Sequence, residues 1–194
     1  NAGSYASAVM GPGWSAGDST CATERIGWAA FKDNEPGASK WLRNWTWNCP
    51  AASVMPITNR KADLKAAIDG LAAGGSTAGH LGIAWAWYLV APDWDDIWPA
   101  ESKPLAYSAP KSIKAVILMT DGAFNTEYKP SQGTSYEQSG DMCDAMKARG
   151  VIVYSVAFQA PSSGQAALQD CATSTADHYF NAANGAQLKE AYRE

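Results

Sequence analysis

The chain has 194 residues and a formal net charge of -4 at pH 7. This length suits one domain with a substantial hydrophobic core, and the mild acidity argues against binding to nucleic acid or anionic lipid. No apolar segment approaches the length of a membrane span, and residues 1–20 lack the charged start and apolar centre of a signal peptide. We therefore expect a membrane anchor only if a precursor carries one.

Four cysteines fit neither a zinc site nor a Cys-x-x-Cys redox motif. Widely spaced and even in number, they are compatible with two disulfides and an oxidising, extracytoplasmic compartment, while buried free thiols are the alternative. Four cysteines allow three pairings, which the sequence does not rank. Our working expectation is the pairing of neighbours, Cys21 with Cys49 and Cys143 with Cys171. Each bridge would stabilise the fold by roughly 3 kcal/mol in the chain-entropy model.

Residues 1–57 are irregular in composition and pattern. They are rich in Gly, Ser, Asn and Pro, and they contain five tryptophans without clear periodicity. This predicts a long irregular region that is stabilised by aromatic packing and by a Cys21–Cys49 bridge. We therefore divide the chain into a Trp-rich region over residues 1–57 and a regular region over residues 58–194.

From Thr58 onward the hydrophobic pattern alternates between helix and strand. Strands that alternate with helices imply right-handed crossovers and a mainly parallel α/β sheet. In chain order the patterns first predict a helix through Leu64, Ile68 and Leu71, a helix over 81–89, a loop over 91–112 and a strand over 114–119. They then predict a helix that begins near Ser139 and is stopped by Gly150, a strand over 151–158, a short helix around 164–171, a strand over 178–180 and a final helix from about 185.

Residues 115–122, Ala-Val-Ile-Leu-Met-Thr-Asp-Gly, join an apolar run to a carboxylate. The run is typical of a strand that is buried on both faces of a parallel sheet. Asp121 would then lie at the carboxyl edge of the sheet, where open α/β folds bind their ligands. The alternative is a core strand followed by an ordinary Asp-Gly turn.

Residues 74–79, Gly-Gly-Ser-Thr-Ala-Gly, are a second segment with binding potential. They lack the Lys that a phosphate-binding loop requires. Ser76 and Thr77 offer hydroxyl oxygens, Asp121 offers a carboxylate, and hard cations such as Mg²⁺ prefer oxygen ligands. These oxygen donors alone do not complete a metal site. The alternative is therefore that residues 74–79 cap a helix and Asp121 belongs to a turn.

The order of segments in this chain resembles the von Willebrand factor type A domain: Gly-Gly-Ser-Thr, then a helix, then an apolar strand that ends Met-Thr-Asp-Gly. Over about residues 21–194 the chain is closest to the TadG-like pilus-assembly proteins of bacterial tight-adherence systems. The resemblance implies a doubly wound, mainly parallel, Rossmann-like fold. The segments that carry it are Cys21-Ala-Thr-Glu-Arg25, Leu64-Lys-Ala-Ala-Ile-Asp-Gly-Leu71, Gly75-Ser-Thr-Ala-Gly-His80, Ala84-Trp-Ala-Trp-Tyr88 and Cys143-Asp-Ala-Met-Lys147.

The family's metal-ion-dependent adhesion site would include Thr77 through its hydroxyl and Asp121 directly or through water. The implied ion is Mg²⁺, with Mn²⁺ or Ca²⁺ as alternatives. However, the chain lacks the family's Asp-x-Ser-x-Ser motif, so the resemblance implies that the sequence begins partway through the domain. An amino-terminal half or a neighbouring chain should then cover the apolar strand at 114–119. Tyr5–Met10 is a weak candidate for a replacement strand.

The resemblance implies a non-enzymatic, cation-dependent adhesion domain of a bacterial cell-envelope or secreted surface protein. Its protein partner would offer a carboxylate to the open coordination position of the metal. One alternative is a structural subunit of a pilus-associated assembly with a vestigial metal site. Another is a hydrolase that uses His80 or His178 with Ser76 or Asp177, although no Gly-x-Ser-x-Gly nucleophile elbow is present.

Several tryptophans accompany the helix over 81–89 and the loop after it. Trp85 lies on the predicted apolar stripe of that helix, which indicates a core position. Trp87, Trp94 and Trp98 either pack in the interior or rim the cation site, and packing is the preferred interpretation.

Overall fold

The structure is a computed structural model that describes residues 1–37, 40–47 and 49–193. The chain forms two compact units. The first unit comprises Asn1–Ser76 and Tyr88–Ala106, and the second comprises Thr77–Trp87 and Tyr107–Glu194. The division after residue 57 stays a prediction from sequence texture.

The first unit contains little regular secondary structure in its amino-terminal part. Helix α1 covers Ala6–Met10, so the weak strand candidate over these residues is wrong. Strand β1 (Cys21–Thr23) pairs antiparallel with β2 (Arg43–Trp45). The Cys21–Cys49 disulfide, with the two Cα atoms 5.4 Å apart, confirms the first expected pairing.

A buried arginine between aromatic rings forms part of the core of the first unit. The Arg25 guanidinium lies 5.0 Å from the ring centroids of both Tyr88 and Trp94, and these two rings stack 4.0 Å apart. Trp98 is buried and donates from its indole N–H to the Tyr88 carbonyl at 3.0 Å. Burial lowers the pKa of Arg25, although the coulombic effects of Tyr88 and Asp33 oppose it. Trp94 and Trp98 are therefore packing residues, as preferred.

Helix α2 (Lys61–Asp69) carries the first apolar stripe of the regular region. The predicted helix is present, but it ends before Leu71, and no residue of the helix is buried. Leu64 and Ile68 are exposed. A nine-residue helix is marginally stable by itself in water, so it gains from packing against another surface. Because its apolar side is exposed, that side is available for a contact beyond those within the described part of the chain.

Helix α3 (Gly79–Val90) confirms the second predicted helix. Its buried side runs through His80, Ile83, Ala84 and Trp87, at the i, i+3, i+4 and i+7 spacing of one helix face. Trp85 is only partly buried, so its predicted core position is wrong. The polar His80 concealed the true stripe, because hydropathy alone does not mark a buried histidine as a core residue.

The second unit contains a three-stranded parallel sheet, which confirms the predicted alternation of strands and helices. Val116 of the first strand pairs with Val153 of the central strand, and Val156 of the central strand pairs with Phe180 of the third. The strands, in sheet order, are β3 (Ala115–Thr120), β4 (Ile152–Phe158) and β5 (Tyr179–Ala182). Helix α4 (Ser135–Ala148) connects β3 to β4, α5 (Ser162–Cys171) connects β4 to β5, and α6 (Gly185–Ala191) follows β5.

Strand β3 lies at the edge of this sheet, and β4 is its one strand partner among the described residues. Val116 and Leu118 are buried, whereas Ile117 and Met119 on the opposite face are each 55% exposed. The prediction of a strand buried on both faces is therefore wrong for the described chain. Buried and exposed side chains alternate over residues 115–119 of β3, but the sequence does not show this alternation because all of them are apolar.

A second disulfide, Cys143–Cys171, links α4 to α5 with the two Cα atoms 5.0 Å apart. It confirms the other expected pairing. Both bridges are typical of proteins that fold in an oxidising compartment. Within the described ranges, no helix combines the length and the apolar character needed to cross a bilayer.

Candidate functional site

The candidate site lies where β3 ends, at the carboxyl edge of the parallel sheet. Asp121 directly follows Thr120, the last residue of β3. The Thr120 hydroxyl accepts the Gly122 N–H at 3.1 Å, which fixes the turn that begins there. Asp121 is exposed, and its carboxylate forms no hydrogen bond or ion pair with another described residue. This carboxylate is therefore available to a ligand.

Thr77 lies beside this turn. Its N–H donates to the Asn125 side-chain oxygen at 3.0 Å, and its carbonyl accepts the N–H groups of Asn125 and Thr126 at 2.9 and 3.2 Å. The Thr77 hydroxyl oxygen is 3.6 Å from the position that a Cβ atom would occupy on Gly122. The structure thus brings one predicted site residue, Thr77, next to the residue that follows the other, Asp121.

Two glycines let the loop after β3 approach the neighbouring helices closely. A Cβ on Gly79, the first residue of α3, would lie 2.4 Å from the Phe124 ring. A Cβ on Gly164 of α5 would lie 2.3 Å from the Gly122 carbonyl oxygen. Gly164 therefore requires glycine for this arrangement, because a Cβ would meet backbone atoms, and a Cβ on Gly79 would require the Phe124 ring to move. The loop is consequently held by α3 and α5.

An open cavity of about 300 Å³ adjoins the same loop. It is lined by Ala123, Phe124, Tyr136, Ser163 and Ala166. The Tyr136 hydroxyl donates to the Asp170 carboxylate, and this hydrogen bond, together with burial, raises the pKa of Tyr136. The cavity offers mainly apolar surface a few residues from Asp121, where a partner side chain could insert.

The chemistry of the site is limited by its few charged groups. Within the part of the chain that the structure describes, no three His, Cys, Asp or Glu side chains lie close enough to share a metal ion. A cation held by Asp121 and Thr77 would have one carboxylate and one hydroxyl from these residues, and its other ligands would be water or groups of a partner. Mg²⁺ commonly retains several waters in this way.

Both histidines lie beside a serine hydroxyl, and the setting of His178 differs from a Ser-His-Asp triad. His80 Nδ1 lies 2.8 Å from Ser135 Oγ, and both residues are fully buried. Ser174 Oγ lies 2.8 Å from His178 Nδ1 and 3.2 Å from the Asp177 carboxylate. In a triad the acid orients the imidazole, whereas here acid and imidazole both contact the hydroxyl. The arrangement at His178 favours a structural role for the Ser174 hydroxyl.

The sequence pattern gave no indication that Asn125 or Gly164 belongs to this site, whereas Gly79 lies in the glycine-rich segment that it did select. Asn125 follows Asp121 by four positions in a polar loop, and its partner Thr77 is 48 residues away. Such a contact depends on how the chain folds back on itself. Local spacing therefore carried no signal for it.

Comparison with protein-family models finds no match for the chain, and a search of curated proteins finds no similar protein. The resemblance to von Willebrand A domains accordingly stays a proposal.

Proposed function

We propose that the chain belongs to a divalent-cation-dependent protein-binding domain of the von Willebrand A type. The carrying observation is the position of the Thr77 hydroxyl against Gly122, beside the exposed Asp121 at the carboxyl end of a parallel strand. These are the two residues that the family resemblance selects. The parent protein on this proposal is a non-enzymatic adhesion or pilus-assembly component of a bacterial cell envelope.

The proposed site binds Mg²⁺, or Mn²⁺ or Ca²⁺ in its place, through oxygen ligands. Asp121 supplies negative charge, and Thr77 supplies a hydroxyl of the kind that hard cations accept. A carboxylate of the protein partner occupies an open coordination position. Metal binding and partner binding are then coupled, because the cation bridges two anionic groups that would otherwise repel each other.

The doubly wound architecture is part of the same proposal. Ser155 of β4 donates from its hydroxyl to the Leu168 carbonyl of α5, which supports one helical layer. Tyr154 alternates with Ser155 and lines a cavity with Ala191 and Tyr192, at the end of α6 and just after it. Helical residues on both faces of the sheet are what a doubly wound fold requires.

The exposed edge strand β3 supports a second proposed contact, in which another polypeptide segment pairs with the sheet. Ile117 and Met119 are large apolar side chains on an exposed edge strand, and such edges are usually paired or covered in folded proteins. On this proposal an amino-terminal segment of the domain, or a neighbouring chain, pairs alongside β3. The two disulfides support an extracytoplasmic location for the assembly.

A titration with Mn²⁺ tests the metal site, because this paramagnetic ion broadens the NMR signals of nearby nuclei even when binding is weak. We expect selective broadening at Thr77, Asp121 and Gly122, and competition by Mg²⁺. Asp121→Ala should abolish the effect because it removes the site's carboxylate, and Thr77→Ala should weaken it. Calorimetry with Mg²⁺ gives the corresponding affinities.

Asp141→Ala is the matched control, because Asp141 is an exposed carboxylate on α4. It should leave the broadening near Asp121 unchanged. Broadening that is equal in the wild type and in Asp121→Ala would contradict the proposed site. An absence of cation binding by the wild type would favour a structural subunit with a vestigial site.

A further inference from the structure

We infer that Asn125 is the positioning residue of the proposed cation site, where it fixes Thr77 against the loop that carries Asp121. This inference rests on the proposed function. Asn125 is an exposed residue in the loop between β3 and α4. Its contacts, not its burial, indicate the role.

The hydrogen bonds of Asn125 argue against its being a metal ligand itself. Its side-chain oxygen accepts the Thr77 N–H at 3.0 Å and the Thr126 hydroxyl at 3.0 Å. A carbonyl-type oxygen has two lone pairs, and both are thus engaged. The acceptor positions of this oxygen are thus used by Thr77 and Thr126, which leaves the hydroxyl of Thr77 and the carboxylate of Asp121 as the groups offered to the cation.

The bonds between Asn125 and Thr77 run in both directions. Asn125 accepts from the Thr77 N–H through its side chain, and its own N–H donates to the Thr77 carbonyl at 2.9 Å. The N–H of Thr126 donates to the same carbonyl at 3.2 Å. Both backbone groups of Thr77 are therefore fixed by one short segment of the loop.

Thr77 needs such a contact because the chain before it is permissive. Gly74, Gly75 and Ser76 are exposed, and Gly75 has a φ of 78°. Glycine samples many backbone conformations, so this segment does not by itself direct the Thr77 hydroxyl toward Asp121. Helix α3 begins two residues later, at Gly79. The bonds to Asn125 fix Thr77 itself, just before α3 begins.

Positioning of this kind raises affinity by reducing the ordering cost of binding. When the Asn125 side chain is replaced, the two backbone bonds to the Thr77 carbonyl remain, but the Thr77 N–H loses its acceptor, so the hydroxyl is held less firmly against the turn that carries Asp121. The loss of one side-chain hydrogen bond corresponds to a weakening of cation binding by up to about tenfold. Asp121 remains in place, so the affinity should fall without disappearing.

Three variants of Asn125 separate positioning from general stability. Asn125→Ala removes the acceptor, and Asn125→Gln moves it by about one methylene, so both should weaken Mn²⁺ and Mg²⁺ binding by several-fold to about tenfold. Asn125→Asp keeps an acceptor for the Thr77 N–H and should bind the cations at least as tightly as the wild type. In the metal-free protein, exchange of the Thr77 amide should accelerate in the first two variants and stay slow in Asn125→Asp.

Asn184→Ala is the matched control, because the Asn184 side-chain oxygen also accepts two hydrogen bonds, here from the backbone N–H groups of Ala186 and Gln187 at the start of α6. It should reduce thermal stability and leave cation affinity unchanged. A wild type that binds cations with the same affinity as Asn125→Ala and Asn125→Gln would overturn the positioning role alone. A wild type that binds no cation would overturn the proposed function and, with it, this inference.

Discussion

Gly164 shows how a single hydrogen in place of a methyl group shapes the candidate site. The ideal Cβ position on this residue lies 2.3 Å from the Gly122 carbonyl oxygen and 3.1 Å from the carbonyl carbon. These atoms belong to the backbone, so they cannot move away by a change of rotamer. Any larger residue must displace either α5 or the turn that carries Asp121.

We therefore expect Gly164→Ala to lower the free energy of unfolding by about 1–3 kcal/mol, as overpacking does elsewhere. It should also weaken cation binding because the turn is displaced. Urea denaturation measures the first effect and the Mn²⁺ titration measures the second.

Gly140→Ala provides the comparison at the same kind of position. Gly140 lies inside α4, and no atom lies within 4 Å of its ideal Cβ position. Alanine should stabilise that helix by about 0.5–1 kcal/mol. If Gly164→Ala behaved like Gly140→Ala, the close contact with Gly122 would not constrain the loop.

At the residue scale, the sequence was informative where chemistry is local. Asp121 could be placed at a strand end because an apolar run precedes it, and the structure has it directly after β3. Asn125 could not be assigned, because its role depends on a partner on the far side of α3 in sequence. Trp87 packs in the core, as preferred, whereas Trp85 is only partly buried. The buried His80, whose ring contacts Ser135, belongs to the same helix face as Trp87 and was not recognisable from hydropathy.

At the scale of elements, the start of α4 is set by a pair of reciprocal hydrogen bonds. The Thr134 hydroxyl accepts the Glu137 N–H at 3.2 Å, and the Glu137 carboxylate accepts the Thr134 N–H at 2.8 Å. This capping box begins the helix at Ser135, four residues before the predicted Ser139. The hydrophobic pattern starts later than the cap, which explains the difference.

The same contacts make Glu137 a reporter of the cap. The backbone hydrogen bond from Thr134, followed by the one from its hydroxyl, lowers the pKa of the Glu137 carboxyl. Because the pKa of Glu137 is lower in the folded state, the ionised carboxylate contributes its full stabilisation of the fold above the unfolded-state pKa. It is lost as the pH falls through the folded-state pKa. The cap therefore weakens in acid.

Two substitutions at Thr134 should raise the pKa of Glu137 in steps. Thr134→Ala removes the hydroxyl and should raise it part of the way to its ordinary value. Thr134→Pro also removes the N–H and should raise it further, and proline fits because Thr134 has a φ of -64°. A carbon-detected NMR titration of Glu137 measures both values.

Thr58→Ala is the control for this series, since the Thr58 hydroxyl also accepts a backbone N–H, that of Arg60, at an exposed position. It should leave the Glu137 pKa unchanged. Equal Glu137 pKa values in the wild type and in both Thr134 variants would show that the cap does not set the ionisation of this carboxyl.

At the scale of the whole molecule, each compact unit contains one disulfide, and each bridge spans 28 positions. Loops of this length imply a stabilisation of about 3–4 kcal/mol per bridge in the chain-entropy model. A stabilisation of this size is important for a chain whose first unit has few long helices or strands. The parallel sheet was predictable from alternating apolar segments, and the family resemblance implied that the strand at 114–119 would need another polypeptide to cover it. The exposed side of α2 was not predictable, because an apolar stripe does not show whether another element packs on it.

We expect the paired variant Cys143→Ser/Cys171→Ser to lose about 3–4 kcal/mol of unfolding free energy. Chemical denaturation under non-reducing conditions measures the loss. Cys21→Ser/Cys49→Ser should show a similar loss, and full reduction of the wild type should exceed either. Unchanged denaturation midpoints in both paired variants would contradict a stabilising role for the bridges.

The order of the cysteines along the chain also affects how the protein is made. Both bridges join consecutive cysteines, so the two loops neither overlap nor nest. A chain that emerges amino terminus first exposes Cys21 and Cys49 to an oxidant well before Cys143. Each thiol then meets its native partner as the next available one. We therefore expect vectorial oxidation to favour the native pairing of these four cysteines, with little dependence on a disulfide isomerase.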